Sequence, residues 1–513
     1  MNQPTAVDRG RRRVGRSARP ARSTADYTHL VNPFEPARVM SDDQVAHLHE
    51  AALGVLQDSG VKVLLGEARQ RFAAAGAKVD DDQQVVRLGR DMVLDAIASA
   101  PAEFDLVARN PERSLRVGGR NMMLLPVAGP PFVSDLQRGR RNGTMDDFDV
   151  FARLVQRTDV LHGMAPSIEA QDVDLRVRHL ATTRSTLVLT DKVPYGYARG
   201  RGIVADCLEM VRLANGVDHD TFRSHPYVWT NINTNSPRQI DIPMCMGIID
   251  FAAAGQAAIM TPFTLSGAMA PVSLAGALVL QHAEALAAMT LAQIVRRGAP
   301  VVYGAFTSNV DMRSGAPAFG TPETARAAIA SGQLARYIGV PWRSQAASTS
   351  NVEDAQAGYE TMVSMTAALM GGANVVVHAA GWQEGGLTAS LEKFVLDVEM
   401  LQIVAETFRP LDTSEPELAL GSIADVAPGG HFFGTEHTLQ RFDTAFYEPT
   451  VFTRENFGQW TEHGAVTSAQ RASGTWRRWV DEYQQPAIEP DRLAALDDFV
   501  ARRIAQGGAS LDG

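Results

Sequence analysis

Residues 371–386 read GGANVVVHAAGWQEGG, and their pattern decides the fold. A helical stretch closes on Gly372, an apolar run from Asn374 to Ala380 follows, and the chain then enters a glycine-rich loop carrying Trp382 and Glu384. Apolar side chains on consecutive positions, without alternation, mark a strand covered on both faces, as in a parallel sheet. Glycine at a helix end, just before a strand, is the expected helix-to-strand junction.

The same unit recurs upstream. Apolar runs stand at Met122–Val127, Leu161–Ser167, Ser185–Thr190, Tyr227–Asn233, Ala257–Phe263, Val301–Phe306 and Val340–Gln345, each followed by a loop and a helical pattern. Gly255, Gly298 and Gly339 close helices just before three of these runs. With Asn374–Ala380 they make eight, and eight βα units over this length predict a (β/α)8 barrel of the TIM type, an α/β fold. An open doubly wound sheet is the alternative. No GxGxxG fingerprint follows the first run, and no acidic residue is placed for a ribose.

Working outward, four regions are expected: a basic arm over 1–26, an α/β extension over 27–120, the barrel over 121–410, and a helical and loop extension over 411–513. Arg9 to Arg22 holds seven arginines and no apolar run, so it does not read as a secretory signal. Ser41 is placed to cap a helix whose apolar positions Val45, Leu48, Ala52 and Val55 recur at helical spacing up to Gly60. The apolar stretch Val272–Val295 is interrupted by His282 and Glu284 and reads as a core helix, not a membrane span.

Composition narrows the function. The 513 residues are 45% hydrophobic and 21% charged, ordinary for a globular enzyme. A net charge of −10 argues against a nucleic-acid surface. Cys207 and Cys245 are the only cysteines, which excludes a disulfide framework and suggests two buried thiols in a reducing, cytoplasmic setting.

Barrel chemistry sits at the C-terminal strand ends and the loops after them, which filters the candidates. Those loops and strand ends hold Tyr195, Trp229, Asn231, Asn233, Phe263, Tyr303, Phe306, Arg313, Trp342, Arg343, Gln345, His378, Trp382 and Glu384. Aromatics thus reach six consecutive rim positions in a chain only 7% aromatic. Tyr303 and Phe306 differ in parity, so a regular strand cannot aim both inward. No histidine pair falls at metal-ligand spacing with a carboxylate, so no metal site is expected, and neither a GxSxG elbow nor a P-loop is present. An aromatic rim without a hydrolytic triad suits an apolar or cationic ligand, quaternary ammonium above all. Arg313 or Arg343 could clamp a carboxylate. His378, Asn231 and Gln345 are the polar groups expected at the reacting centre.

Ser41–Val63, Thr264–Ala287, Ser314–Glu323, Asp354–Glu360, Gly371–Leu401 and Gly429–Thr438 carry motifs (among them TLSGAMAPVS, SGAPAFGTPE, DAQAGYE and GGHFFGTEHT) that resemble the trimethylamine methyltransferase family over nearly the whole chain. The resemblance implies a β/α barrel that passes a methyl group from a methylated amine to cobalamin carried by a separate corrinoid protein, in an assembly of several copies. Trimethylamine-specific members carry pyrrolysine in the barrel. Here only standard residues occur, and Ser344–Ser350 is the corresponding region. That departure is similar to the branch acting on quaternary amines, glycine betaine foremost. Proline betaine, carnitine or γ-butyrobetaine as substrate, a non-catalytic betaine-binding barrel, and a Schiff-base lyase using Lys192 stay as alternatives.

Overall fold

The computed structural model describes residues 25–510. The expected basic arm lies outside them, apart from its last two residues. The described residues divide into two compact units, one of 26–408 with 449–510 and one that holds 409–448.

In the larger unit, Ser41 caps the helix Asp42–Gly54. Its hydroxyl accepts from Gln44 N–H while the Gln44 side chain accepts from Ser41 N–H, which satisfies two otherwise orphaned donors. The helical stretch ends at Gly60, φ 72°, where a Cβ would meet the Val86 carbonyl oxygen at 2.5 Å. Strands Val61–Val63, Lys78–Asp80 and Val85–Arg87 form a small sheet with a fourth strand, Gln239–Ile240, that arrives from the middle of the chain. The α/β extension is therefore built into the larger unit. Its helices Asp42–Gly54 and Arg90–Ala98 pack on the long helix Leu274–Val295. That helix is the one among the described residues long and apolar enough to cross a membrane, and 83% of its most apolar window is buried in the protein.

The central sheet runs Trp229–Thr234, Ala257–Pro262, Val301–Gly304, Trp342–Gln345, Val375–Val377, Asn121–Leu124, all parallel. Every residue of the middle four is buried, as consecutive apolar runs require. Between the last strand and the first lie two extended segments joined by single parallel bridges, Gly163↔Val193 and Tyr195↔Trp229. His162 N–H donates to Leu124 C=O (2.9 Å), and Met164 N–H to Val193 C=O (2.9 Å). The parallel sheet is thus curled, with six regular strands and two extended segments joined by single bridges.

One expected strand is a helix. Ser185–Thr190 lies almost wholly in the helix Leu175–Leu189, started by Asp174, whose carboxylate accepts from Arg176 N–H. Its apolar and threonine residues pack the helix against the core, and the strand place falls to Val193–Tyr195. Short β-branched runs do not distinguish the two states; the cap upstream does.

The hairpin Glu103–Leu106 and Leu115–Gly118 plugs the N-terminal end of the curled sheet. Leu106, Leu115 and Val117 pack with Met123, Trp229, Ile259, Val302, Val375 and Val377 in a core of their own, distinct from the larger one between sheet and helices. Gly255 and Gly372 end their helices with φ of 70° and 71°, the left-handed conformation the junction requires. After residue 449 the helices Ser468–Asp481 and Pro490–Ala505 close the larger unit, with Trp476 Nε1 donating to Glu392 (3.0 Å).

Arg409–Glu448 holds the short helices Glu415–Leu418, Leu420–Asp425 and Glu436–Arg441. None of its residues is buried.

Candidate active site

Strand parity chooses which side chains reach the interior of the curled sheet. Val302 belongs to the inner core, so Gly304 and then Phe306 follow on that side, while Tyr303 faces outward. Gly304 is needed there: a Cβ would collide with Thr261 Oγ1 and the Met260 carbonyl. On the neighbouring strand Arg343 and Gln345 share one face, and Trp342 takes the other. Asn231 and Asn233 come from one face of Trp229–Thr234, and Asn231 Nδ2 donates to Asn233 Oδ1 (2.8 Å). Thr261 Oγ1 donates to Asn231 Oδ1 (2.6 Å).

Five rings gather at the C-terminal ends of the last strands. From Phe306, ring centroids lie at 4.9 Å (Phe263), 5.4 Å (Phe319), 5.9 Å (His378) and 6.3 Å (Trp382). Trp382 and His378 are 3.9 Å apart, and Phe319 and Trp382 6.3 Å. The Arg343 guanidinium sits 5.1 Å from the Phe306 centroid. It is 2% exposed, donates to Ala305 C=O (3.2 Å), and has no carboxylate partner among the described residues. Burial draws it down to about 9, so it stays charged at neutral pH. Its Nε, Gln345 Oε1 and Trp382 Nε1 are buried without a hydrogen-bond partner. Orphaned polar atoms on neighbouring strands are rare in native interiors and call for a ligand or water.

His378 is the strained member, with φ 63°. Its Nδ1 accepts from Ala128 N–H (3.2 Å), which places the proton of the neutral ring on Nε2. Burial, helped by the Arg343 charge, holds it well below the usual histidine range. His378 is therefore a neutral donor and not a general acid at pH 7.

The loop bearing Trp382 is anchored from behind. Gly381 N–H donates to Asp397 (2.8 Å), and Lys393 Nζ reaches both Asp397 oxygens at 2.7 Å and Thr361 Oγ1 at 2.7 Å, all buried. Glu384 N–H donates to Ser350 C=O (2.9 Å). Glu360 in turn accepts from Ser348 Oγ, Thr349 N and Oγ1 and Ser350 N, at 2.7–3.1 Å. Thr307, next to Phe306, donates to Gln281 Oε1 (2.6 Å) and bonds Thr264, next to Phe263. One buried amide on the long helix thereby ties the loops of two facing rings.

The structure thus brings together Phe263, Phe306, Arg343, His378 and Trp382, with Gln345 on the same strand face as Arg343 and Asn231 on the strand Trp229–Thr234. It places the other candidates elsewhere. Tyr303 and Trp342 lie between sheet and helices: Tyr303 OH bonds His282 Nδ1 and accepts from Gln281 Nε2 (both 3.1 Å), and Trp342 packs on Gly332 and Gly371. Trp229 belongs to the inner core below, its Nε1 donating to Met164 C=O (3.1 Å), with Tyr195 edge-on against it at 4.9 Å. Arg313 is exposed in the loop Asp311–Gly315. Glu384 pairs with Arg140 (2.7 Å). Lys192 Nζ donates to Val155, Thr158 and Leu161 C=O at 2.6–2.7 Å, closing the C-terminus of the helix Met145–Arg157. Burial draws the ammonium down to about 7, and Nζ is surrounded by three carbonyl acceptors beside that helix end.

Phe319 escaped the sequence reading. An aromatic flanked by Gly320 (φ 67°) in a polar loop was the available signal; a Cβ at Gly320 would collide with the Glu360 backbone, so the glycine lets the loop press inward. Thr261 and Gln281 left no comparable trace. Among the described residues no group of three or more His, Cys, Asp or Glu is arranged to hold a metal ion.

A buried cluster of rings, a guanidinium and a neutral histidine at the C-terminal edge of a parallel sheet is the candidate site for a small molecule. The chain belongs to the trimethylamine methyltransferase family, whose model matches residues 8–508, and it is a methyltransferase. It is 36% identical over 472 residues to a glycine betaine methyltransferase of Desulfitobacterium hafniense (strain Y51), covering 92% of this chain and 98% of that one. It is 28% identical over 459 residues to a trimethylamine methyltransferase of Desulfitobacterium hafniense (strain DSM 10664 / DCB-2), covering 89% and 91%. Among solved structures, the Methanosarcina barkeri monomethylamine methyltransferase matches with a TM-score of 0.47 at 11% identity, over 86% of this chain and 93% of that one.

Proposed function

We propose that the chain is a complete (β/α)8 barrel that takes a methyl group from a carboxylate-bearing quaternary amine, glycine betaine foremost, and delivers it to the corrinoid of a separate protein, leaving dimethylglycine. The observation that carries this reading is Arg343, a buried guanidinium beside five rings, with no carboxylate partner among the described residues. Left empty, such a charge is costly; a zwitterion supplies the missing anion and offers its own cation to the ring faces. A carboxylate on Arg343 and the Nε2–H of His378 would leave the trimethylammonium group among Phe263, Phe306, Phe319 and Trp382. The 36% identity to a glycine betaine methyltransferase supports the same substrate.

The chemistry asks little proton transfer of the chain. When the C–N bond breaks, both electrons stay on nitrogen, and the leaving amine is neutral without being protonated. A corrinoid protein would supply, when bound, the two-electron cobalt nucleophile that accepts the methyl carbon. The chain's part is to hold the ammonium so that one methyl faces the open C-terminal mouth, and to keep water out. Rings and amides suit this better than a carboxylate would. A fixed anion beside nitrogen would stabilise a positive charge that fades toward the transition state. Gln345 and Asn231 fit orienting roles.

The test mixes the purified chain with its corrinoid protein, or free cob(I)alamin, and a panel of methylated amines, following the cobalt spectrum. Glycine betaine should methylate cobalt and tetramethylammonium should be poor. Transfer from trimethylamine with none from any quaternary amine would overturn the proposal, and preference for carnitine or γ-butyrobetaine would move the carboxylate subsite away from Arg343.

A further inference from the structure

Six side chains form one unbroken hydrogen-bonded line from the helix Asp42–Gly54 to the loops of two facing rings. His49 Nδ1 meets His282 Nε2 at 2.8 Å, and His282 Nδ1 meets the Tyr303 hydroxyl at 3.1 Å. Gln281 Nε2 donates to that hydroxyl (3.1 Å), and Gln281 Oε1 accepts from Thr307 Oγ1 (2.6 Å). Thr307 bonds Thr264. All six residues are 3% exposed or less. The line ends beside Phe263 and Phe306, whose centroids lie 4.9 Å apart.

Donors and acceptors alternate along it without a gap. The second amide N–H of Gln281 goes to Ser331 Oγ (2.9 Å), so the amide turns its carbonyl to Thr307 and its nitrogen to Tyr303. Tyr303 accepts from Gln281 and gives its own proton to His282 Nδ1. That leaves the His282 proton on Nε2, facing His49 Nδ1. Burial keeps these groups neutral: it draws His282 down to about 3, lowers His49 and pushes the Tyr303 phenol up. In a low-dielectric interior the bonds of such a chain strengthen one another.

We propose that Tyr303 and His282 are positioning residues of the candidate site, acting through Gln281 on the loops that bear Phe263 and Phe306. Tyr303 packs on the helix side of the sheet, so it works at a distance: its hydroxyl fixes how the Gln281 amide stands. Without that oxygen, one buried N–H of Gln281 and the Nδ1 of His282 lose their partners, and an unpaired buried donor is costly. The amide is then free to turn, and the carbonyl that holds Thr307 swings away. Thr307 and Thr264 lose their shared anchor on the helix Leu274–Val295, and the two rings lose their fixed spacing. A positioning role also accounts for three polar side chains in a helix–sheet interface that apolar groups would fill at lower cost. For its effect on a ligand this role rests on the proposed ring site; the order of the two loops is measurable without one.

Hydrogen exchange of the full chain, followed by mass spectrometry without ligand, tests the coupling. Tyr303→Phe removes one oxygen and keeps the ring, and His282→Leu breaks the line one step further out. In both, exchange over 263–266, on a different strand from residue 303, should rise about three-fold or more, while a purely local role would raise it around the substituted residue alone. Tyr303→Phe/Gln281→Leu should exchange there no faster than Gln281→Leu, because both changes act at one point. Wild-type exchange at 263–266 in either single variant, or fully additive effects in the double one, overturns the proposal. Calorimetry then reads the consequence: Kd for glycine betaine should rise about three- to ten-fold in Tyr303→Phe, and an unchanged Kd also overturns it. A wild type that binds no quaternary amine would sink the substrate reading instead, and the exchange result alone would then decide the positioning role.

Discussion

Arg343 lies 5.1 Å from the centre of the Phe306 ring, buried in the protein, and no carboxylate among the described residues pairs with it. The two residues join the halves of one recognition problem, since the guanidinium asks for an anion and the ring face for a cation.

Arg343→Met should therefore weaken glycine betaine far more than tetramethylammonium. Loss of one charge-assisted pair corresponds to about 1.5–3 kcal/mol, or roughly a 10- to 150-fold rise in Kd. Calorimetry with both ligands measures the difference, and equal losses for the two would remove Arg343 from the carboxylate subsite.

Trp382→Leu separates ring-face attraction from simple burial. Glycine betaine and its neutral isostere 3,3-dimethylbutyrate have nearly the same shape. The wild type should prefer the cation by about 1–2 kcal/mol, and the variant should lose most of that preference. Competition binding reads the ratio directly.

Gln281 touches no ring of the pocket, but ties Thr307, and through it Thr264, to the helix Leu274–Val295. Gln281→Leu should raise Kd for the quaternary amine several-fold by loosening Phe306 against Phe263, while Gln281→Glu, which keeps the acceptor, should recover most of it. A Gln281→Leu variant that binds normally would assign the network to stability alone.

His162 and His282 are both buried and drawn from 6.5 to about 3, chiefly by burial. His162 Nδ1 accepts from Leu124 N–H and its Nε2 bonds Tyr27 C=O, so it has use for one proton only. Below 6.5 the unfolded chain protonates both rings and the folded chain neither, so the unfolded state binds more protons and stability falls as pH falls. The expected slope is roughly 1.4 kcal/mol per pH unit for each ring, continuing toward pH 3 and absent above 6.5. Urea denaturation between about pH 5 and 8 checks it, and His162→Gln should lower the total slope, to which His378 also contributes, by one ring's share, roughly 1.4 kcal/mol per pH unit.

Lys192→Met should unfold more easily, by about 3 kcal/mol, because three helix-end carbonyls lose their donor. Methyl transfer by the folded fraction should persist. Activity that vanishes while stability holds would reopen the Schiff-base chemistry.

The alternation of strands and helices was readable along the chain because each inner strand is apolar at consecutive positions and each junction has its glycine; Ala257–Pro262 and Gly372 show both. The sequence also put aromatics at strand ends, and the structure gathers Phe263, Phe306 and Trp382 there. What spacing did not reveal is which side of a strand faces in. Tyr303 and Phe306 are three residues apart, and a contact with Gln281, a helix away, holds one outside while the loop turns the other inside. Ser185–Thr190 followed the cap at Asp174 and not its own β-branched composition.

Local pattern thus set most of the strands and helices, because periodicity, caps and residue type act over a few neighbouring positions. The pocket itself came from long-range packing: Phe319 swings in from a polar loop, Trp382 settles on His378, and Arg343 is left without an acid to pair with among the described residues. Whether a charge finds a counter-ion depends on every element that packs around it. No window of the chain contains that fact, and it is the one from which the substrate was inferred.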